Sequence, residues 1–163
     1  PTRRHTRLAI LSRGLGDVYK RQGYLWVMSR VDDVINVAGH RLSTGAREEA
    51  LASHPDVAEC AVIGVEDKLK GEMPLGFVVL NSGTEIDLPE LKKSLVGTVR
   101  SLVGPIATPR DIHVVPRLPK TRSGKILRGT MRSIADGKQF KVPATIDDPA
   151  VLGEISSALG LEE

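Results

Sequence analysis

The chain has 163 residues, a single cysteine and a formal net charge of +3. That length fits one domain able to bury a core without covalent staples, and one thiol excludes an internal disulfide framework, which suits a reducing compartment. No apolar run approaches the ~20 residues needed to span a membrane, and the positive charge is local: residues 1–22 hold six Lys or Arg against Asp17 alone, while the rest hold 17 basic and 19 acidic side chains.

Residues 1–22 have one short apolar patch, Leu8-Ala9-Ile10-Leu11, and no period that continues past Gln22. An Arg-rich, acid-poor composition is shared with targeting peptides. The stretch from Arg13 to Gln22 resembles a translated sequencing-library adapter, however, and the segment is read as foreign to the domain. Its Gly14-x-Gly16 pair lacks the third glycine of a dinucleotide fingerprint.

From Gly23 onward, residues 24–28 have the aromatic and β-branched content of a strand, and residues 34–38 that of a second. Gly39-His40-Arg41 is expected to form a tight cationic turn. Ser43 or Thr44 can cap a helix running to about Ser53, with Glu48 and Glu49 in its early turns, where the helix dipole favours anions. His54-Pro55 ends it. Residues 57–65 and 75–80 are the strongest strand candidates, joined by a charged loop over 66–72. Cys60 lies in the first of these runs and is expected to be buried and inert.

Asp87-Leu88-Pro89-Glu90 opens like a capping box. From there Leu88, Leu91, Leu95, Val99 and Leu102 recur on one helical face, until Gly104-Pro105 stops the helix. Residues 111–115 read as a short strand. Leu127, Met131, Ile134 and Ala135 mark a last core helix ending at Gly137, with Arg128 and Arg132 on its other faces. A Pro- and Asp-rich tail then leads to a weak helix over 151–159. The pattern predicts a small α+β domain at 23–138 with one apolar core, followed by a tail at 139–163. It contains no internal repeats and no evident substrate pocket of its own.

The chemistry-bearing residues fall in two loops. Pro119-Lys120-Thr121-Arg122-Ser123-Gly124-Lys125 sets three cations around a Ser-Gly pair. Glycine permits φ > 0 and a close backbone approach, and the ammonium after it is a compact charge suited to phosphates or carboxylates. A phosphate-cradling P-loop is excluded, because Pro119 and Ile126 stand where that motif needs Gly and Ser or Thr. The second loop, from Arg30 to Arg41, is also polar and cationic. Two such loops on a domain without a pocket are the layout of a lid that completes another domain's site.

Arg30-Val31-Asp32-Asp33-Val34-Ile35-Asn36-Val37-Ala38-Gly39-His40-Arg41 and Leu118-Pro119-Lys120-Thr121-Arg122-Ser123-Gly124-Lys125 resemble the paired signatures of the AMP-forming acyl-CoA synthetases. The similarity is to the C-terminal domain of the acetyl- and propionyl-CoA synthetase branch. Together with Ile146-Asp147-Asp148-Pro149, the first signature looks closer to the propionate enzymes. The resemblance implies that Lys125 is the catalytic lysine of adenylation and Asp32 the hinge. It further implies that Arg30 and Arg41 contact ATP or AMP, and that Gly39 and Arg100 contact CoA. ATP, with Mg²⁺ held by a larger N-terminal domain, and CoA are then the implied ligands. That N-terminal domain is the implied partner, without nucleic acid or membrane, in the cytoplasm or, in a eukaryote, the mitochondrial matrix. The chain alone is expected to be inactive, and Lys125 acetylation to switch the enzyme off.

Three positions depart from the family pattern. Ala38 stands where acetate enzymes usually carry Ser, Ser29 replaces a Gly, and Arg47 occupies an ordinarily apolar helix position. Two other readings compete: the lid of another adenylate-forming ligase, and a basic RNA-binding module using Lys120, Arg122, Lys125, Arg128 and Arg132. Against the latter stand the net negative charge beyond residue 22 and the scarcity of stacking aromatics.

Overall fold

In a computed structural model, residues 33–84 and 86–161 are described with their side chains, along with the backbone of two short strands before them. Those strands, β1 (Gly16–Val18) and β2 (Leu25–Val27), pair antiparallel. The expected strand at 24–28 thus exists, and its partner lies within residues 1–22. Arg30 and Asp32 fall outside the described residues.

The main sheet has the order β4-β3-β6-β5, with a further strand, β7, parallel to β6. Its strands are β3 (Val34–Val37), β4 (His40–Ser43), β5 (Val57–Asp67), β6 (Gly71–Leu80) and β7 (Ile112–Val114). Four helices cover it: α1 (Thr44–Ala52), α2 (Leu88–Leu102), α3 (Arg128–Ala135) and α4 (Val151–Ala158). The expected α+β class is what the structure shows. Residues 61–65 are buried without alternation because both faces of the sheet are covered. On one face Val62 and Val78 meet Leu51 of α1 and Leu91, Leu95 and Val99 of α2. On the other, Ala61, Ile63 and Phe77 meet Met131 and Ile134 of α3 and Leu152 and Ile155 of α4.

Several expectations shift. The turn is Ala38-Gly39, both at positive φ (49° and 85°), and His40 and Arg41 already belong to β4. A two-residue connection with both φ positive matches the twist of the flanking strands, so the hairpin closes one residue earlier than composition suggests. The supposed loop over 66–72 is mostly strand, paired Glu66 to Glu72. Asp67 Oδ1 accepts the Leu69 and Lys70 amides, both at 2.9 Å, and tightens the reversal.

Ser43 caps α1 by accepting the Gly45 amide at 3.2 Å, but no acidic residue lies in the first turn. Asp87 holds the N-cap position of α2 without a side-chain cap bond. The α2 stripe is buried at Leu91, Leu95 and Val99, whereas Leu88 and Leu102 run past the sheet into solvent.

Two further findings concern packing. Arg47 is fully buried. Its Nε donates to the Ala107 carbonyl at 2.8 Å and its Nη1 to that of Ser43 at 2.7 Å, while Nη2 has no hydrogen-bond partner. Burial pushes its pKa below the ordinary value. Helix α4 packs firmly: Ile155 is fully enclosed, and Arg117 binds both Asp148 and Glu154 at 2.7 Å.

Candidate functional site

Lys125 closes a loop that fastens itself. The Thr121 amide donates to the Lys125 carbonyl at 2.8 Å, the Gly124 amide to the Thr121 carbonyl at 2.8 Å, and the Lys125 amide to Thr121 Oγ1 at 3.1 Å. Gly124 takes φ +79° to complete the reversal, a conformation that costs an L-residue. Lys120 and Ile126 bridge antiparallel at the loop base. Lys125 itself is exposed, and among the described residues it forms no ion pair shorter than 4 Å.

The C-terminal segment braces this loop from outside. The Arg122 amide donates to the Thr145 carbonyl at 3.0 Å and the Asp147 amide to the Lys120 carbonyl at 2.9 Å, while Thr121 bridges Ile146. Lys120 Nζ lies 2.5 Å from Glu59 Oε1 of β5. Sequence reading had no signal for this brace, because residues 139–149 show no periodicity.

Lys125 faces an open cleft of about 640 Å³, lined also by Asp33, Thr121, Gly124, Arg128 and Thr130. The structure thus brings Lys125 together with Asp33, the neighbour of Asp32. Gly39 and Arg41 lie at the far end of the hairpin that Asp33 begins, and both are exposed. Space around Gly39 is open, so its glycine answers to φ and not to crowding within this chain. Arg100 is exposed in the last turn of α2, on the opposite face of the sheet from α3.

Arg128, which lines the cleft, belongs to a set of ion pairs on α3 that no local sequence pattern marks. Arg128 Nε and Nη2 donate to Glu48 Oε1 (3.0 Å) and Oε2 (2.7 Å), and Glu48 Oε1 also accepts the Val62 amide at 2.9 Å. The Glu48 carboxylate raises the Arg128 pKa above its ordinary value, against the opposing effect of burial, and Asp33 adds to the rise. One turn later Arg132 binds Glu72, whose other oxygen accepts the Asn36 amide at 2.7 Å. Glu48, expected to serve the α1 dipole, is instead the anchor of a half-buried fork.

Beside that fork, Cys60 donates to the Glu48 carbonyl at 3.2 Å, and burial, with Glu48 adding, pushes its thiol up to about 11. Of the five cations in the RNA-binding reading, Lys120, Arg128 and Arg132 are engaged with carboxylates, which leaves no continuous basic strip. Among the described residues no cluster of three or more His, Cys, Asp or Glu could hold a metal ion. None of their helices is long and apolar enough to cross a membrane.

The fold and the lysine-bearing loop define a lid domain of the adenylate-forming type. The crystal structure of an acyl-CoA synthetase from Brucella canis superposes with a TM-score of 0.59 at 41% identity, over 69% of this chain and 21% of that one. Residues 47–125 match the family model of the AMP-binding enzyme C-terminal domain, and the chain carries that domain. Among curated proteins it is 51% identical to mouse (Mus musculus) acyl-CoA synthetase short-chain family member 3, mitochondrial, over 85% of this chain. It is 49% identical, again over 85% of this chain, to acetyl-coenzyme A synthetase of Pyrobaculum aerophilum. In both cases it spans 20% of the relative's length.

Proposed function

We propose that the chain is the mobile C-terminal part of an AMP-forming acyl-CoA synthetase acting on propionate or acetate, and that Lys125 is its adenylation lysine. In the first half-reaction a carboxylate oxygen attacks the α-phosphorus of ATP, and pyrophosphate leaves. In the second, the CoA thiol attacks the acyl carbonyl of the adenylate, and AMP leaves. The carrying observation is the exposed Lys125 side chain, which among the described residues has no carboxylate partner at ion-pair distance, on a loop held by its own hydrogen bonds. Such a cation can hold the substrate carboxylate against the phosphate and offset the negative charge that grows in the transition state.

The remaining roles belong to the same reading. Asp32 is the hinge about which the lid turns between the two halves, and Asp33 then sits where the hinge meets the Lys125 cleft. Arg30 and Arg41 serve the nucleotide, and Gly39 and Arg100 serve CoA. The exposure of Gly39 and Arg100 on separate parts of the surface leaves both accessible to a long ligand. A larger N-terminal domain supplies the acyl pocket, most of the ATP site and the Mg²⁺ that accompanies ATP. The enzyme works in the cytoplasm, or in the mitochondrial matrix of a eukaryote. Residues 1–22 are foreign to it.

The test uses the full-length protein with that domain restored. Lys125→Ala is expected to lower adenylate formation by on the order of 10²–10³, while thioester formation from supplied acyl-adenylate is largely spared. Equal loss of both halves, or turnover of propionate, ATP and CoA by the present chain alone, overturns the reading.

A further inference from the structure

We propose that Glu48 and Arg128 are positioning residues that set the direction in which Lys125 points. The inference rests on the role given to Lys125 above. The bonds within residues 121–125 fix the shape of that loop, and Thr145, Asp147 and Glu59 brace its outer side, while its Lys125 end is oriented by where the chain goes next. Arg128 comes three residues later and opens α3, and Leu127, at the N-cap, supplies no side-chain cap bond. The start of this helix is tied by the Leu127 amide, which donates to the Pro119 carbonyl at 2.9 Å, and by a side-chain anchor.

The Arg128 guanidinium supplies it. Both nitrogens of its outer edge engage the Glu48 carboxylate, at 3.0 and 2.7 Å. A two-bond fork fixes direction as well as distance, which a single contact does not. Glu48 is itself immobile: it rides on α1, directly after the β3–β4 hairpin, and accepts the Val62 amide on the outer edge of β5. The Arg128 and Glu48 side chains are only 24% and 17% exposed, so water competes weakly for the pair. Through this carboxylate the Lys125 loop, the hairpin and the sheet edge share one anchor. A single-bond link lies one turn on, where Glu72 joins Arg132 of α3 to the Asn36 amide of β3. A part-buried ion pair is weak evidence for net stability; what bears on Lys125 is the fixed direction of the two-bond contact.

The decisive variant is Glu48→Gln in the full-length enzyme, which keeps an acceptor for Val62 but loses the charged fork. Adenylation kcat is expected to fall about 10- to 100-fold, the effect of a misplacement near 1 Å. The KM values for ATP and carboxylate, and thioester formation from supplied acyl-adenylate, should stay within about twofold of the parent. In the 163-residue chain, hydrogen exchange of the Lys125 and Gly124 amides should speed up about tenfold while that of Phe77 stays put.

If Glu48→Gln does not fold, Arg128→Lys, which keeps the charge and loses the fork, decides by the same split. An unchanged adenylation rate in a folded variant overturns the proposal, as does equal loss in both half-reactions, the mark of a merely structural role. Lys125→Ala run alongside separates the two claims. Loss of adenylation in Lys125→Ala but not in Glu48→Gln defeats positioning alone, whereas retention in Lys125→Ala defeats the underlying reading and this proposal with it.

Discussion

The β3–β4 hairpin and the loop ending at Lys125 are both short and built around a glycine at positive φ, yet they are held by different means. The hairpin closes through neighbours in sequence: Val37 faces His40, and Ala38 and Gly39 supply the turn. Beyond that pairing, Ile35 and Val37 are buried in the core that α1 and α2 cover, and the hairpin's backbone and polar contacts with the rest of the sheet include Val37 against Gly71, the Ala38 amide on the Lys70 carbonyl, and the Glu72 carboxylate on the Asn36 amide. The Lys125 loop draws on partners from across the chain, namely Glu59, Thr145 and Asp147, with Glu48 acting through Arg128. Apolar burial and a tight turn fix where the hairpin sits, whereas directional hydrogen bonds and ion pairs hold the Lys125 loop and set its orientation as well as its place.

The strongest way to break this contrast is to remove residues 138–163. Ile146, Val151, Leu152 and Ile155 are all buried, and at about 1.5–3 kcal/mol each their loss approaches the stability of a whole domain. The truncated chain is expected to lose its cooperative thermal transition by circular dichroism. A folded product would show that the brace on the Lys125 loop is dispensable.

A smaller effect probes how the hairpin docks. A Cβ at Gly64 would lie 3.1 and 3.3 Å from the Ile35 side chain. Gly64→Ala should therefore cost about 1–3 kcal/mol in urea unfolding, the usual penalty of overpacking. An unaltered midpoint would mean that Ile35 yields and that the hairpin is looser than its burial implies.

Cys60 reports on the Glu48 anchor through pH. Burial and the Glu48 charge raise its thiol to about 11, from an ordinary value of 9.0. Because the folded state holds this proton more tightly, the associated stability is complete below pH 9 and is lost as pH rises through about 11. Thiolate absorbance should show the late titration, and Glu48→Gln should move it to lower pH. A midpoint near 9 would mean that the thiol is not enclosed.

The smallest effect belongs to the hairpin turn. Ala38 sits at φ 49°, where an L-residue pays roughly 1–2 kcal/mol and glycine pays only its chain entropy, so Ala38→Gly should stabilise by about 0.5 kcal/mol. Thermal unfolding measures it, and destabilisation would show that the Ala38 methyl has a packing role.

Local order was well marked in the sequence. The leucine stripe of α2 announced its buried face, Gly104-Pro105 its end, and Ser43 the start of α1, because each depends on residues within a turn or two. Both functional loops were also visible as motifs. The roles of Arg128, Arg132, Glu48 and Glu72 were not, because an Arg that forks a distant carboxylate has the same sequence signature as a solvated one. The same blindness hid the buried Arg47, whose acceptors are two carbonyls, one of them 60 residues away.

By itself, the sequence marked the two loops in which the candidate residues cluster, since loop composition and glycine placement are written locally. It also determined the class of fold, through the periods of its apolar residues. The tertiary structure alone decided what braces the Lys125 loop. Bracing partners separated by 20 to 80 residues meet only once both faces of the sheet are packed, and no local pattern encodes such a meeting.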